Sequence, residues 1–251
     1  MGTQLLKIRT PQSFETEFKV LSNDIVRLFA SSGLKVQSYH DPALVHYSAL
    51  SDERKAAALE RLRIYHQSLV SMENAGHAID NSSKSLWHAL KTLGFMPDSE
   101  VFAKFENDDV IEVYDSRGTQ MWRNFNYMKI CSYTLEELLC HDWPTLYIRD
   151  EKLTDQLVKL MVDTVTSGLR GANFIDVDYH LVEERFSTDR FRLNVRHDYI
   201  CALLRKGGQC DGFLITSKVD VIGQSAISTN WPSLQLAEFR PLEMSVSSSQ
   251  L

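Results

Sequence analysis

Apolar residues recur with two different periods along this chain, and the change of period constrains the fold more than any other feature. Before Pro97 they recur every three or four residues, which is typical of amphipathic α-helices. From Val110 onward they largely alternate with other residues, which is typical of β-strands with one buried face. The sequence therefore predicts an α+β protein. We expect a helical region at residues 1–97, a mixed region at 98–223 and a loosely ordered tail, rich in serine, at 224–251.

The N-terminal region is predicted to contain three helices. The first carries one apolar stripe with spacings of four, three, four and three residues, formed by Phe14, Phe18, Leu21, Ile25 and Leu28. A second helix begins at Ser51 and keeps its period as far as Ile79, and a third runs from Lys84 to Leu93 before Gly94. The stripe is too apolar to be left exposed. It packs either within a small bundle or against a second chain, as a dimerisation or signal-transfer helix.

The mixed region is predicted to form a five-stranded antiparallel sheet with helices on one face. Its expected elements are a hairpin at Val110–Tyr114 and Thr119–Arg123, helices at Tyr133–Leu139 and Asp150–Ser167, and strands at Asn173–Phe186, Phe191–Arg205 and Gly212–Ile222. A hairpin followed by helices and a three-strand meander gives an antiparallel sheet covered by those helices.

Composition narrows the class of protein. The net charge is −6 and no run of five basic residues occurs, so we expect no nucleic-acid surface. No stretch approaches the 18 apolar residues of a membrane span. Residues Met1–Thr10 lack the apolar core of a signal peptide. We therefore expect a cytoplasmic protein in which Cys131, Cys140, Cys201 and Cys210 are free thiols.

Several strings in the mixed region resemble the PAS domain family. Val110–Asp115 and Gly118–Asn124 resemble the first PAS hairpin and the asparagine that often follows it. Ser132–Leu138 resembles the family's Gly-Tyr-Ser-x-Glu-Glu-Leu segment, Trp143–Asp150 the stretch before the long helix, and Gly207–Val221 the final turn and strand. The resemblance covers residues 106–223. Ser132 stands where the family commonly has glycine, and Ile222 where it commonly has threonine.

The resemblance implies a hollow between the sheet and its helices, in which a small molecule can bind. Alternation and position in the fold predict these residues near it: Trp122, Asn124, Phe125, Tyr133, Trp143, Leu157, Met161, Tyr179, Leu193 and Tyr199. Apolar walls with a few placed polar groups, such as Asn124 and the two tyrosine hydroxyls, suit a ligand site. The same residues could instead fill the hollow as an ordinary core.

No cofactor is identified by the sequence. Haem-binding PAS domains use a histidine or methionine ligand, and His141 and His180 are the candidates, although each could be an ordinary hydrogen-bonded histidine. The flavin-binding string Asn-Cys-Arg-Phe-Leu-Gln does not occur, so Cys140 is interpreted as a semi-buried thiol. The spacing of cysteines and histidines gives no zinc motif, and no metal is predicted.

Enzymatic activity is not predicted, because the chain contains no nucleophile elbow, P-loop, zincin or kinase motif. Glu183 and Glu184 are adjacent on a strand and should point to opposite faces. The first hypothesis is a regulatory or signalling protein whose PAS-like domain senses a small molecule or binds a protein partner, with output through that partner or a homodimer. The alternative is an interaction or scaffold protein, such as a secreted bacterial effector, with a filled, ligand-free core.

Overall fold

A computed structural model describes residues 11–96, 98–168 and 170–224. Within these residues the helices are α1 Pro11–Ser31, α2 Val45–Ser48, α3 Asp52–Asn74, α4 Ser82–Leu93, α5 Ser99–Phe102, α6 Phe125–Lys129, α7 Leu135–Cys140, α8 Trp143–Leu146 and α9 Glu151–Ser167. The strands are β1 Val110–Asp115, β2 Gln120–Arg123, β3 Tyr147–Ile148, β4 Ala172–Phe174, β5 His180–Glu184, β6 Phe191–Leu204 and β7 Cys210–Gln224. Apart from Gln224, the predicted tail lies outside the described residues.

Two helices of the N-terminal region, α3 and α4, begin at side-chain caps. The Ser51 side chain accepts a hydrogen bond from the Arg54 amide at the start of α3, and Asn81 caps α4 in the same way. The predicted extension of α3 to Ile79 is wrong. The helix ends at Asn74, because Gly76 turns the backbone into the left-handed region with φ of 70°.

The apolar stripe of α1 lies against the protein's own chain. Phe18, Ile25 and Leu28 are buried, whereas Phe14 and Leu21 are half-buried and pack on the same core. The Phe18 ring lies 4.4 Å from the ring of Tyr47 in α2. The stripe is therefore covered by neighbouring helices of its own chain.

Within the described residues, the sheet has seven strands, all paired antiparallel, rather than the predicted five. Its order is β2-β1-β7-β6-β5-β3, and β4 also pairs with β6. The single run predicted at Asn173–Phe186 divides into β4 and β5, which pair with different parts of the long strand β6. Residues Tyr147–Ile148 add the short strand β3 at one edge.

Helices lie on both faces of the sheet. On one face, Leu157 and Met161 of α9 pack with Phe213 and Ile215 of β7. On the other face, Trp122 of β2 meets Tyr65 of α3 edge-on, with ring centroids 6.3 Å apart. The sheet is thus a middle layer between α9 and the N-terminal helices.

Backbone hydrogen bonds join the two predicted regions. The amide of Leu135 donates to the carbonyl of Gln37 over 2.9 Å. The buried Glu136 carboxylate accepts the amides of His46 and Tyr47 at 2.8 and 2.9 Å. One continuous apolar cluster extends from Phe18 in α1 to Leu214 in β7. Among the helices that the structure describes, none combines the length and apolarity needed to cross a bilayer.

Candidate ligand cavity

A cavity lies between α9 and the face of the sheet that this helix covers. Its apolar walls come from α8, α9 and the central strands, and include Trp143, Leu157, Met161, Leu193, Val195 and Ile215. Its polar walls are Glu112, Tyr114, Gln120, Tyr127, Tyr147, Arg149, His197 and Ser217. Val110, Ile130, Val182 and Val219 complete the lining.

Strand register explains why these side chains converge. Alternation places Val110, Glu112 and Tyr114 of β1 on one face. Val110 lies opposite Ser217 and Glu112 lies opposite Ile215, so the two neighbouring strands present their side chains to the same space.

The cavity is small. Its volume is about 50 Å³. A sphere the size of one water itself occupies roughly 10–15 Å³, so the cavity has room for a few waters or a small molecule. An occupant can contain only a few non-hydrogen atoms.

One polar wall is a hydrogen-bonded chain that starts at Glu112. Its Oε1 accepts a bond from the Tyr114 hydroxyl at 3.0 Å and a second from the Gln120 side-chain amide. Gln120 in turn accepts from the guanidinium of the buried Arg123. Burial raises the pKa of Glu112, and the nearby Arg123 charge opposes this rise.

A second polar wall is formed by His197 and Arg149. Nδ1 of His197 lies 2.8 Å from the Ser217 hydroxyl, whereas its buried Nε2 has no hydrogen-bond partner. Burial, reinforced by the Arg149 charge, lowers the pKa of His197 to about 3, so the ring is neutral at pH 7. The Arg149 guanidinium lies 5.1 Å from the Trp143 ring centroid, and its Nε is also buried without a partner.

Four of the ten residues predicted for the hollow line the cavity: Trp143, Leu157, Met161 and Leu193. The other six do not. Trp122 faces α3, and Phe125 packs 5.9 Å from Phe29 of α1. Tyr199 pairs opposite Thr216 and packs on Phe174, on the other side of the sheet.

Bulges account for the misplacement of Trp122 and Tyr199. The register of β1 and β2 shifts at Met121, so that Gln120 lies opposite Tyr114 while Trp122 lies opposite Val113. Strict alternation would place Gln120 and Trp122 on one face, but the extra residue sends them to opposite faces. A second shift, between His197 and Tyr199, does the same on β6.

The remaining predicted residues have other contacts. Asn124 caps α6 and donates to the carbonyl of Asp109 at 2.7 Å, so its amide is used inside the fold. The Tyr133 hydroxyl accepts the amide of Arg185 at 2.8 Å. Tyr179 is 45% exposed and lies against Arg196.

Glu112, Arg149 and His197 were missed because the prediction favoured large apolar residues. A sequence signal for Glu112 was present, because it lies between Val110 and Tyr114 at the spacing of one strand face. A charged residue in an otherwise apolar row on a buried strand is a candidate for a polar role.

The two histidines considered as haem ligands, His141 and His180, lie outside the cavity lining. His141 Nε2 lies 3.1 Å from His46 Nδ1, and its ring stacks on Phe186. His180 lies 5.4 Å from His197 between ring centroids, but it does not line the cavity.

One group of carboxylates in the described residues converges closely enough to hold a metal ion. It consists of Glu106, Asp108 and Asp109. Nζ of Lys218 lies 2.7, 3.1 and 2.6 Å from them, respectively, so a cation of the protein itself is already placed there.

Comparison with known proteins adds no relative. No protein-family model matches the sequence. A search of curated proteins likewise gave no match.

Proposed function

We propose that this protein is a PAS-like sensory module that binds a small molecule in the cavity and passes its occupancy to a protein partner or a second copy of the chain. The order of elements supports the proposal, since a hairpin, short helices, one longer helix and the strands of the second half follow one another as the resemblance implies. The last strand, β7, lies between β1 and β6, and its residues Ile215, Ser217 and Val219 line the cavity.

The unpartnered polar atoms of the cavity wall carry this proposal. His197 Nε2 and Arg149 Nε are buried and have no hydrogen-bond partner. A buried polar group without a partner costs about 1–3 kcal/mol, so a core made only of side chains gains nothing from such atoms. A ligand that bonds to these two atoms would offset that cost, which supports the proposal that this wall binds a ligand.

Arg123 offers a route from the cavity to the N-terminal helices. Its side chain bonds to Gln120 in the cavity wall and to the carbonyl of Leu138 in α7 at 3.4 Å. Its own carbonyl accepts the hydroxyl of Tyr65 in α3 at 2.9 Å. A ligand that displaces the hydrogen-bonded side chains of Glu112 and Gln120 therefore acts on α3 and α7 through Arg123.

The scaffold alternative is favoured by one observation, the small volume of about 50 Å³. Under that alternative the space holds only ordered water, and the polar atoms bond to it. The sensory and the scaffold function predict different effects of a larger side chain at the cavity wall.

The test compares Leu157→Trp with Lys159→Trp, an exposed position on the same helix. Each protein is screened against a library of small fragments by thermal shift. We expect the wild type and Lys159→Trp to be stabilised by the same fragments, and Leu157→Trp to lose that response. If no fragment stabilises the wild type, and Leu157→Trp only destabilises it by the roughly 1–3 kcal/mol of an overpacked core, the sensory proposal is wrong.

A further inference from the structure

The cavity contains a positive charge that forms no ion pair with an acidic residue in the described part of the chain. Arg149 lies over the rings of Trp143 and Tyr147 at 5.1 and 5.8 Å. Among the described residues, no carboxylate lies within ion-pairing distance of its guanidinium, and its Nε is buried without a partner. A guanidinium binds carboxylates with geometry that few other side chains match.

His197 supplies a second group beside that charge. It is 7% exposed, and its Nδ1 is engaged by the Ser217 hydroxyl. When that hydroxyl donates to Nδ1, the ring proton is on Nε2, which becomes a hydrogen-bond donor without a partner. Both Arg149 and His197 line this cavity.

Glu112 forms no ion pair with Arg149 among the salt bridges of the described residues. Its Oε1 already accepts bonds from Tyr114 and Gln120, and Arg123 is the cation with the larger effect on it. The charged groups around this wall are therefore two arginines and one carboxyl group. These groups together carry an excess of positive charge, which favours a ligand with one negative charge and disfavours a cation.

The side of the cavity formed by α9 is apolar. Its Leu157 and Met161 line the same space as the polar groups. An occupant that satisfies both walls needs an anionic end and a short alkyl end. With a cavity of about 50 Å³, it can have only a few non-hydrogen atoms.

We propose that the cavity recognises a small monocarboxylate, whose carboxylate bonds to Arg149 and to Nε2 of His197 while its alkyl end contacts Leu157 and Met161. This inference rests on the proposed sensory function and names the class of its ligand. Arg149 is the specificity-determining residue, because it distinguishes an anion from a neutral molecule of equal size.

Sodium propionate and propionamide test the charge requirement, because they have nearly the same shape and differ in charge. Thermal shifts of the full chain are measured at an ionic strength held constant with sodium chloride. We expect propionate to bind at least about tenfold more tightly than propionamide, since a charge-assisted hydrogen bond is about twice as strong as a neutral one.

Arg149→Gln should abolish the response to propionate, whereas Arg185→Gln should leave it unchanged. Arg185 is a suitable control because it is also half-buried against an aromatic ring, but lies outside the cavity lining. If propionamide binds as tightly as propionate, the anion inference is wrong and the sensory function stands. A response to propionate that persists in Arg149→Gln, or no response to either probe in the wild type, also overturns the inference. The sensory function itself fails only if the fragment screen fails as well.

Discussion

Substitution of Glu184 tests which hydrogen bonds fix the segments next to the sheet in place. The side chain is fully buried on β5. Its Oε1 accepts the amide of Ser132 at 2.8 Å, and its Oε2 accepts the amide of Phe191 at 2.9 Å and the hydroxyl of Ser187 at 2.7 Å. The Ser132 hydroxyl makes a further bond to Oε2. One carboxylate therefore joins the segment before α7 to the turn between β5 and β6.

Glu184→Gln preserves the shape of this side chain but cannot preserve its bonds. A glutamine has one acceptor oxygen and one NH2 group, so in either orientation a backbone amide faces the NH2 group. The serine hydroxyls can rotate to accept, but the amides cannot. One buried donor left without a partner costs about 1–3 kcal/mol, and the loss of charge weakens the remaining bonds, so we expect a loss of about 2–4 kcal/mol.

Urea unfolding followed by tryptophan fluorescence measures this loss, and Glu183→Gln is the matched control. Glu183 is the same residue type one position earlier, and it is half-buried on the opposite face of the strand. We expect the control to change the free energy of unfolding by less than about 0.5 kcal/mol. Equal effects of the two substitutions would refute the assignment of these bonds to Glu184.

Three further substitutions have expected outcomes. Gly212→Ala should lower the melting temperature, because a methyl group there would lie 2.9 Å from the Phe95 ring, whereas Gly207→Ala, with open space around it, should not. Phe18→Asp should unfold the N-terminal helices, because the ring is fully buried in the chain's own core, and circular dichroism should show no loss for the exposed Val20→Asp. The third concerns pH. Because the pKa of His197 is lowered to about 3, the unfolded state binds one more proton than the native state between about pH 6.5 and pH 3. Stability should therefore fall with decreasing pH in that window by up to about 1.4 kcal/mol per pH unit more than in His197→Asn. Parallel pH profiles for the two proteins would contradict a buried neutral histidine.

Local signals in the sequence identified most elements of the fold. Thr134 and Glu137 have the sequence spacing of a capping box, and both hydrogen bonds of that motif are present at the start of α7. The alternation of β6 and β7 and the amphipathic period of α9 also placed those elements within one or two residues of their bounds. These signals depend on a few neighbouring residues, which is why they can be recognised from the sequence.

The composition of the cavity wall could not be predicted in the same way. Trp122 and Tyr199 were assigned to it by alternation, and a bulge next to each one reverses the face. A bulge depends on how two distant strands pair, so its position cannot be inferred from one strand alone. Arg149 lies outside any alternating run, next to the short strand β3, and only the folded chain brings it to the same cavity as His197.

The central claim is that the cavity admits a ligand, and the ε-methyl group of Met161 reports on it most directly. Met161 lines the cavity, whereas Met96 is 53% exposed and lies outside it. With 13C-labelled methionine methyl groups, sodium propionate is titrated into the wild type and its NMR spectrum is recorded. We expect a saturable shift of the Met161 signal, an unchanged Met96 signal, and no Met161 shift in Leu157→Trp. A Met161 signal that stays fixed for propionate, propionamide and every fragment of the library would contradict a ligand site and leave a core filled by side chains and water.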